Sequence, residues 1–363
     1  MGVLSAGHIL LAPFRIKTSR TLDQIRDDAQ AFAYPATPQA GSRGFGSTFD
    51  DHTVLGPQVP TSLNVGRPRI LDADGLLPRR LRLRLYWHTQ NRSVTRVFGP
   101  QTDWRQTHSL NAVDITIFDN PIDDVRTAIV STRDRKVLLA TIFPKIQELV
   151  EAGSPDGSLE TDSLPESLDP DFFRWLLFRS QDTKELSEDV TLTSMWELAS
   201  TSDFGGASFT EQTALERIEL AAAVAVGRRN FGPAKVSLAV DNVAKWLRLQ
   251  LHLDGSFSVN RDSLSNAPDT LPHTDIGFWL AEHVSIAVLP KLRDAHNSDS
   301  HWRTEGQAKF TRDAIEVIVR TLGALGIARE TIEAAEPDWS ATPPRQDAHE
   351  TTTVELTDAT PED

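Results

Sequence analysis

The stretch Arg80-Leu81-Arg82-Leu83-Arg84-Leu85-Tyr86-Trp87-His88 decides how the chain is read. Leucine or tryptophan holds every odd position, and arginine, tyrosine or histidine every even one. Successive side chains of a β-strand point to opposite faces, so this alternation predicts a strand with one apolar and one cationic face. The next residues, 89–91, read as a turn, and 93–98 as a returning hairpin strand.

Working outward toward the N-terminus, residues 8–17 predict a strand in which Pro13 points to an edge position. Residues 21–32 predict a short helix with Leu22, Ile25 and Ala29 on one face. Residues 34–69 are rich in Pro and Gly without periodicity and read as a long loop. Within it, Gly41-Ser42-Arg43-Gly44-Phe45-Gly46 has the composition of a phosphate cradle but not the strand-then-helix setting that one needs. Asp72-Ala73-Asp74-Gly75 resembles the first motif of haloacid-dehalogenase-type phosphatases. The Pro78 and the arginine strand that follow favour an Asp-Gly turn instead.

Toward the C-terminus, residues 113–118 predict a further strand, 121–131 a helix and 136–143 a buried strand. A helix then starts at Pro144 and ends before Gly153, with a helix running through Pro144 as the alternative. Residues 154–170 form an acidic linker. Beyond it lie helices expected over 171–180 and 184–199, and a third begun by a Ser208/Glu211 capping box and stopped at Gly227. A three-stranded antiparallel meander over 234–260 turns at Asp254-Gly255, read as a type I′ turn. Helices over 276–289, closed by Pro290, and over 311–325, with Ile315, Ile318, Leu322 and Leu325 facing the core, complete the pattern. The expected fold class is α+β. A β-rich N-terminal domain (1–153) carries the long loop insertion, and a mainly helical C-terminal domain (171–335) contains the meander. The strands at 80–88 and 245–252 share a leucine-alternating pattern, which half-buried strands commonly show.

The 363 residues carry a formal charge of −14, but its placement matters. Residues 154–171 contribute −6 and residues 336–363 contribute −7, which leaves −1 for all the others. The acidity therefore says little about the folded surfaces. With no cysteine, disulfides, zinc–thiolate sites and cysteine nucleophiles are excluded. No apolar run reaches 18 residues, which excludes a membrane-spanning helix. Without a secretory signal pattern at the start, the expected location is cytoplasmic. Arginine outnumbers lysine 29 to 8, a codon bias typical of high-GC bacteria and their phages.

Three function classes follow. First, Arg80, Arg82 and Arg84 stand about 6–7 Å apart on one strand face, near the phosphate spacing of a nucleic-acid strand. Tyr86 offers a stacking surface beside them, and His88 extends the row. This makes the chain a non-catalytic subunit of a bacterial multi-protein assembly that contacts nucleic acid or another polyanion, such as a mobile-element or defence-system accessory. Pairing of the arginines with acidic segments of the same chain competes with that reading. Second, five of the ten histidines lie between His252 and His301, several with an acid two residues away. His252, Asp254, His273 and Asp275 are the candidate ligands for a divalent metal, the only cofactor considered. A metal-dependent hydrolase or nuclease would use these, or Asp114 with Asp134 and Lys136, whose spacing resembles that of restriction-type nucleases. Third, the chain is a structural oligomer or virion component. Other protein subunits are the expected partners, nucleic acid a further one, and a membrane is not.

Residues 337–363 lack periodicity and are strongly acidic, the composition of a disordered tail. Limited proteolysis is expected to remove them and leave a stable core, whereas a protease-resistant full-length chain would show that the tail packs on the body.

Overall fold

Strand β1 (His8–Lys17) links the C-terminal strands of the sheet to the N-terminal ones. Its residues 8–11 pair antiparallel with 257–260, and its residues 12–17 with 125–130. The computed structural model describes residues 8–35, 37–46, 67–99, 103–120, 124–152, 157–160, 167–202, 205–210, 215–227, 231–260, 262–271 and 273–327. Pro13 was expected on an edge, yet β1 lies inside the sheet. The proline falls between the residues paired to 257–260 and those paired to 158–160, where a lateral partner is missing.

After β1 come α1 (Leu22–Ala31), β2 (Arg43–Phe45), β3 (Arg69–Leu71) and β4 (Arg80–Gln90). Thr21 caps α1 through a reciprocal pair with Gln24. Gly44 is required because a Cβ there would lie 2.4 Å from the Tyr34 amide nitrogen. The glycine-rich stretch thus serves backbone pairing, with Phe45 N–H donating to Phe32 O at 2.9 Å, rather than a phosphate. Asp74 and Leu77 exchange backbone hydrogen bonds around Gly75, the expected Asp-Gly turn.

Residues 93–98 are not a returning strand. Asn91 caps helix α2 (Arg92–Phe98), and α3 (Trp104–Thr107) follows. The partner of β4 is β5 (His108–Phe118), paired along its whole length, and β5 pairs in turn with β6 (Val125–Val130). Residues 125–130, expected as helix, are β-branched enough to form that strand. Residues 136–143, expected as strand, are helical: α4 (Arg135–Val137), a π-helical turn (Leu138–Ile142) and α5 (Phe143–Glu151) run on continuously. This is the alternative in which the helix passes through Pro144. A proline inside a helix lacks an N–H and crowds the carbonyl four residues back. Here the preceding turn is widened, with Phe143 N–H donating to Leu138 O five residues back.

Next are β7 (Ser158–Glu160), paired to β1, and α6 (Pro170–Gln181), capped by Asp169. Residues 184–199 form β8 (Glu185–Ser187) and most of β9 (Val190–Ser202), not a helix. Ser208 lies within a strand, β10 (Gly205–Thr210), opposite Ala199; the helix that follows is α7 (Ile218–Ala225), stopped at Gly227 as expected. The meander is β11 (Phe231–Val240), β12 (Ala244–Leu251) and β13 (Phe257–Asn260), with β14 (Leu264–Ser265) beside β12. Its turn differs from type I′: His252 O accepts from Gly255 N, and only Gly255 has positive φ. Helix α8 (His273–His283) continues through a π-helical turn (Val284–Val288) into α9 (Leu289–Ser298), so Pro290 does not close it. The device matches the one at Pro144, down to Phe143-Pro144-Lys145-Ile146 and Leu289-Pro290-Lys291-Leu292. A third π-helical turn (Trp302–Gly306) leads into α10 (Gln307–Ala324).

The chain is therefore α+β. Its strands form one sheet in the order β10-β9-β11-β12-β13-β1-β6-β5-β4-β2. Ile9 and Leu11 join the core of α6 to α10, whereas Phe14 and Ile16 join that of α1 and α5. Strand alternation sets these pairs on opposite faces, so the two helical layers cover opposite faces of the sheet. Helices α1 and α5 cover the N-terminal strands, and α6 and α8 the C-terminal ones. No described helix is long and apolar enough to cross a membrane. The acidic residues 337–363 and most of the loop 34–69 lie outside the described residues.

Candidate functional site

The cationic face of β4 is interior. Leu81, Leu83 and Leu85 pack toward α1 and α5, as the alternation requires. The opposite face is covered by α8, and Arg80, Arg82 and Arg84 keep only 4%, 3% and 0% of their surface. Arg82 grips Glu282 with two bonds, Nε to Oε1 at 2.6 Å and NH2 to Oε2 at 2.7 Å. Arg80 Nε donates to the same carboxylate at 2.7 Å, and Thr116 Oγ1 at 3.3 Å. Arg84 makes its own bidentate pair with Asp114, directly opposite on β5, at 2.6 and 2.9 Å. Burial works against the Arg84 charge, but Asp114 outweighs it and holds the guanidinium pKa above its usual value.

These three arginines thus meet carboxylates of the same chain, Glu282 and Asp114. Tyr86 is also fully buried, its ring 5.5 Å from that of Tyr34, so it presents no stacking surface. His88 Nε2 lies 3.2 Å from the Tyr34 hydroxyl, and Trp104 meets its ring edge-on. Burial, then His108, lowers its pKa.

Of the proposed metal ligands, only His252 and Asp254 have described side chains. His252 Nε2 accepts from Arg133 NH1 at 2.9 Å. A cation beside the lone pair is the wrong neighbour for a metal. Asp254 sits in the hairpin turn, where its Oδ1 accepts from Ser256 N at 3.0 Å. His273 and Asp275 begin α8, but their side chains lie outside the described ones. Among the described residues no group of three histidines or acids could hold a metal ion. The other clustered histidines have packing roles: His283 Nδ1 bonds to Trp279 O at 2.8 Å, His296 to Asp171 at 3.1 Å, and His301 lies against Phe178. The nuclease-like set is also split. Asp114 is buried on the face that α8 covers, whereas Asp134 is exposed and caps α4. A groove of about 620 Å³ near the ends of β4 and β5 includes Trp87, Asn111 and Asp134. Asn111 is already bonded to Thr89, and Asp134 to its own helix.

A different cluster stands on the C-terminal strands. Their inward residues, Val236, Leu238, Leu247, Leu249 and Leu251, pack with the helices. Their outward residues include Trp196, Lys235, Trp246 and Arg248, on a face that no described helix covers. A β-bulge creates this arrangement. Lys235 pairs with Glu197 and Val236 with Met195, which leaves Trp196 as the extra residue and turns it outward. The Arg248 guanidinium lies between two indoles, 3.9 Å from the Trp246 ring centroid and 5.4 Å from that of Trp196. Lys235 Nζ is 5.8 Å from the Trp196 ring and 2.5 Å from Glu197. Trp196 Nε1 and Arg248 Nε are buried donors without a hydrogen-bond partner among the described residues. Buried donors of this kind call for an acceptor.

Sequence reasoning missed this cluster. Trp196 fell in a stretch read as helix. Trp246, Arg248 and Gln250 alternate with Leu247, Leu249 and Leu251, so their outward face was legible once the leucines were placed inward. No protein-family model and no curated protein matches the chain.

Burial, then Arg133, depresses the His252 pKa from 6.5 to about 4. The neutral ring is favoured in the fold, so the unfolded chain takes up its proton first as pH falls. His252 therefore contributes stability that is full above pH 6.5 and is lost between 6.5 and about 4. Urea midpoints measured from pH 4 to 7 are expected to fall less steeply in acid for His252→Gln than for the parent; parallel profiles would refute the assignment.

Proposed function

We propose that the chain is a non-catalytic subunit of a bacterial multi-protein assembly and contacts single-stranded nucleic acid on the open face of its C-terminal strands. The observation that carries this reading is the guanidinium of Arg248 between two indoles, on a sheet face that no described helix covers, with donors beside it that lack a described partner. Exposed bases stack on aromatic and guanidinium planes, and phosphates are met by Lys and Arg. The flat, pleated face sets Lys235 and Arg248 on adjacent strands, so one backbone can pass both while bases meet Trp196 and Trp246. The role first expected of Arg80, Arg82 and Arg84 passes here to cations that remain half-exposed.

The test is titration with single-stranded DNA and RNA oligonucleotides across a salt series, read by filter binding and tryptophan fluorescence. Affinity is expected to fall with salt, and Lys235→Ala and Arg248→Ala each to reduce the log–log slope by up to about 0.7. Trp196→Ala and Trp246→Ala are each expected to weaken binding by about 1–3 kcal/mol. Absence of binding at roughly 50 mM salt, where phosphate contacts are strong, would refute the reading and leave a structural subunit.

A further inference from the structure

Helix α10 turns Phe310 and Ala314 into the core, with Val317 and Ile318 packed against it. The neighbouring stripe does not follow. Ile315 is 47% exposed, and Val319 and Leu322 are only half-buried, although Ile315 and Leu322 were expected to face inward. Leu325, just past the helix, is 72% exposed. Residues spaced by three and four share a helix face, so Ile315, Val319 and Leu322 form one continuous apolar strip. Along its edge run Arg312, Glu316 and Arg320, all exposed and none in an ion pair with a described residue. Gly323 adds open space on the same side, with nothing within 4 Å of a Cβ built there.

We infer that this strip is the interface of a two-fold dimer in which α10 packs antiparallel against α10 of a second copy. The pattern is complementary to its own inverse. With the axis near Ile318, Ile315 lies beside Leu322 of the partner subunit, and Glu316 beside Arg320 of the partner subunit. Symmetry makes each contact twice, as a two-fold interface requires. The mixed signs of the flanking row favour an inverted copy of itself over an all-acidic segment such as residues 346–363. The dimer does not depend on the nucleic-acid reading, since the strip and the tryptophan cluster lie on different elements.

Sedimentation velocity and light scattering of the full chain test it directly. A dimer is expected at concentrations up to roughly 100 µM, well above a micromolar dissociation constant. Glu316→Arg or Arg320→Glu alone sets like charges together and is expected to give monomers that remain folded by circular dichroism. The double variant E316R/R320E restores the opposite-charge contacts and is expected to dimerise again; Ile315→Asp is expected to give monomers. A monomeric parent chain, single reversals that remain dimeric, or a double variant that stays monomeric would each overturn the inference.

Discussion

Glu282 is wholly buried and holds two arginines that come from about 200 residues earlier in the chain. Taking an ionised carboxylate or guanidinium out of water is costly, and only close, hydrogen-bonded partners offset it. Arg80 and Arg82 satisfy Glu282 on both oxygens, and Asp114 does the same for Arg84. Three elements are constrained at once. Strand β4 must keep its register against β5 so that Arg84 meets Asp114, and α8 must lie where Glu282 reaches Arg80 and Arg82. A slip of one residue would turn the leucines of β4 onto α8 and the arginines into the core of α1 and α5.

This constraint explains how the sequence could be read correctly and still mislead. Period-two alternation along residues 80–88 reports two chemically different faces, and the structure has them. Alternation does not report what covers each face. A solvated face, a ligand-bound face and a face under a carboxylate-bearing helix give the same pattern. Glu282 lies in a helix with little amphipathic signature, so nothing nearby in sequence announced it as the partner.

Other misreadings have local causes. Residues 136–143 are apolar enough for a buried strand, and periodicity alone does not separate a short buried strand from a buried helix. Pro144 and Pro290 are ordinary stop signals, and each is bypassed by a π-helical turn that no propensity scale foresees. Residues 184–199 are rich in charged and apolar residues at mixed spacing, because the bulges of β9 break its alternation. One of those bulges turns Trp196 outward, so the irregularity that hid the strand also built the candidate site. The α+β class, helix α1, the meander and the Asp74-Gly75 turn were legible, since their signals are local. The pairing of Arg133 with His252 and of Arg80 with Glu282 was not, since each spans more than a hundred residues.

The central claim is that Glu282 neutralises the buried arginines and thereby fixes the fold. The most direct measurement is the urea unfolding free energy of Glu282→Ala against that of the parent. The variant leaves two buried cations without their carboxylate, and the account predicts a loss of about 3–5 kcal/mol, the range for breaking one side of a buried pair. In the double variant R82A/E282A the loss should fall well short of the sum of the single losses, because the two residues act through one interaction. A loss below about 1 kcal/mol for Glu282→Ala, the range of exposed ion pairs, would contradict it.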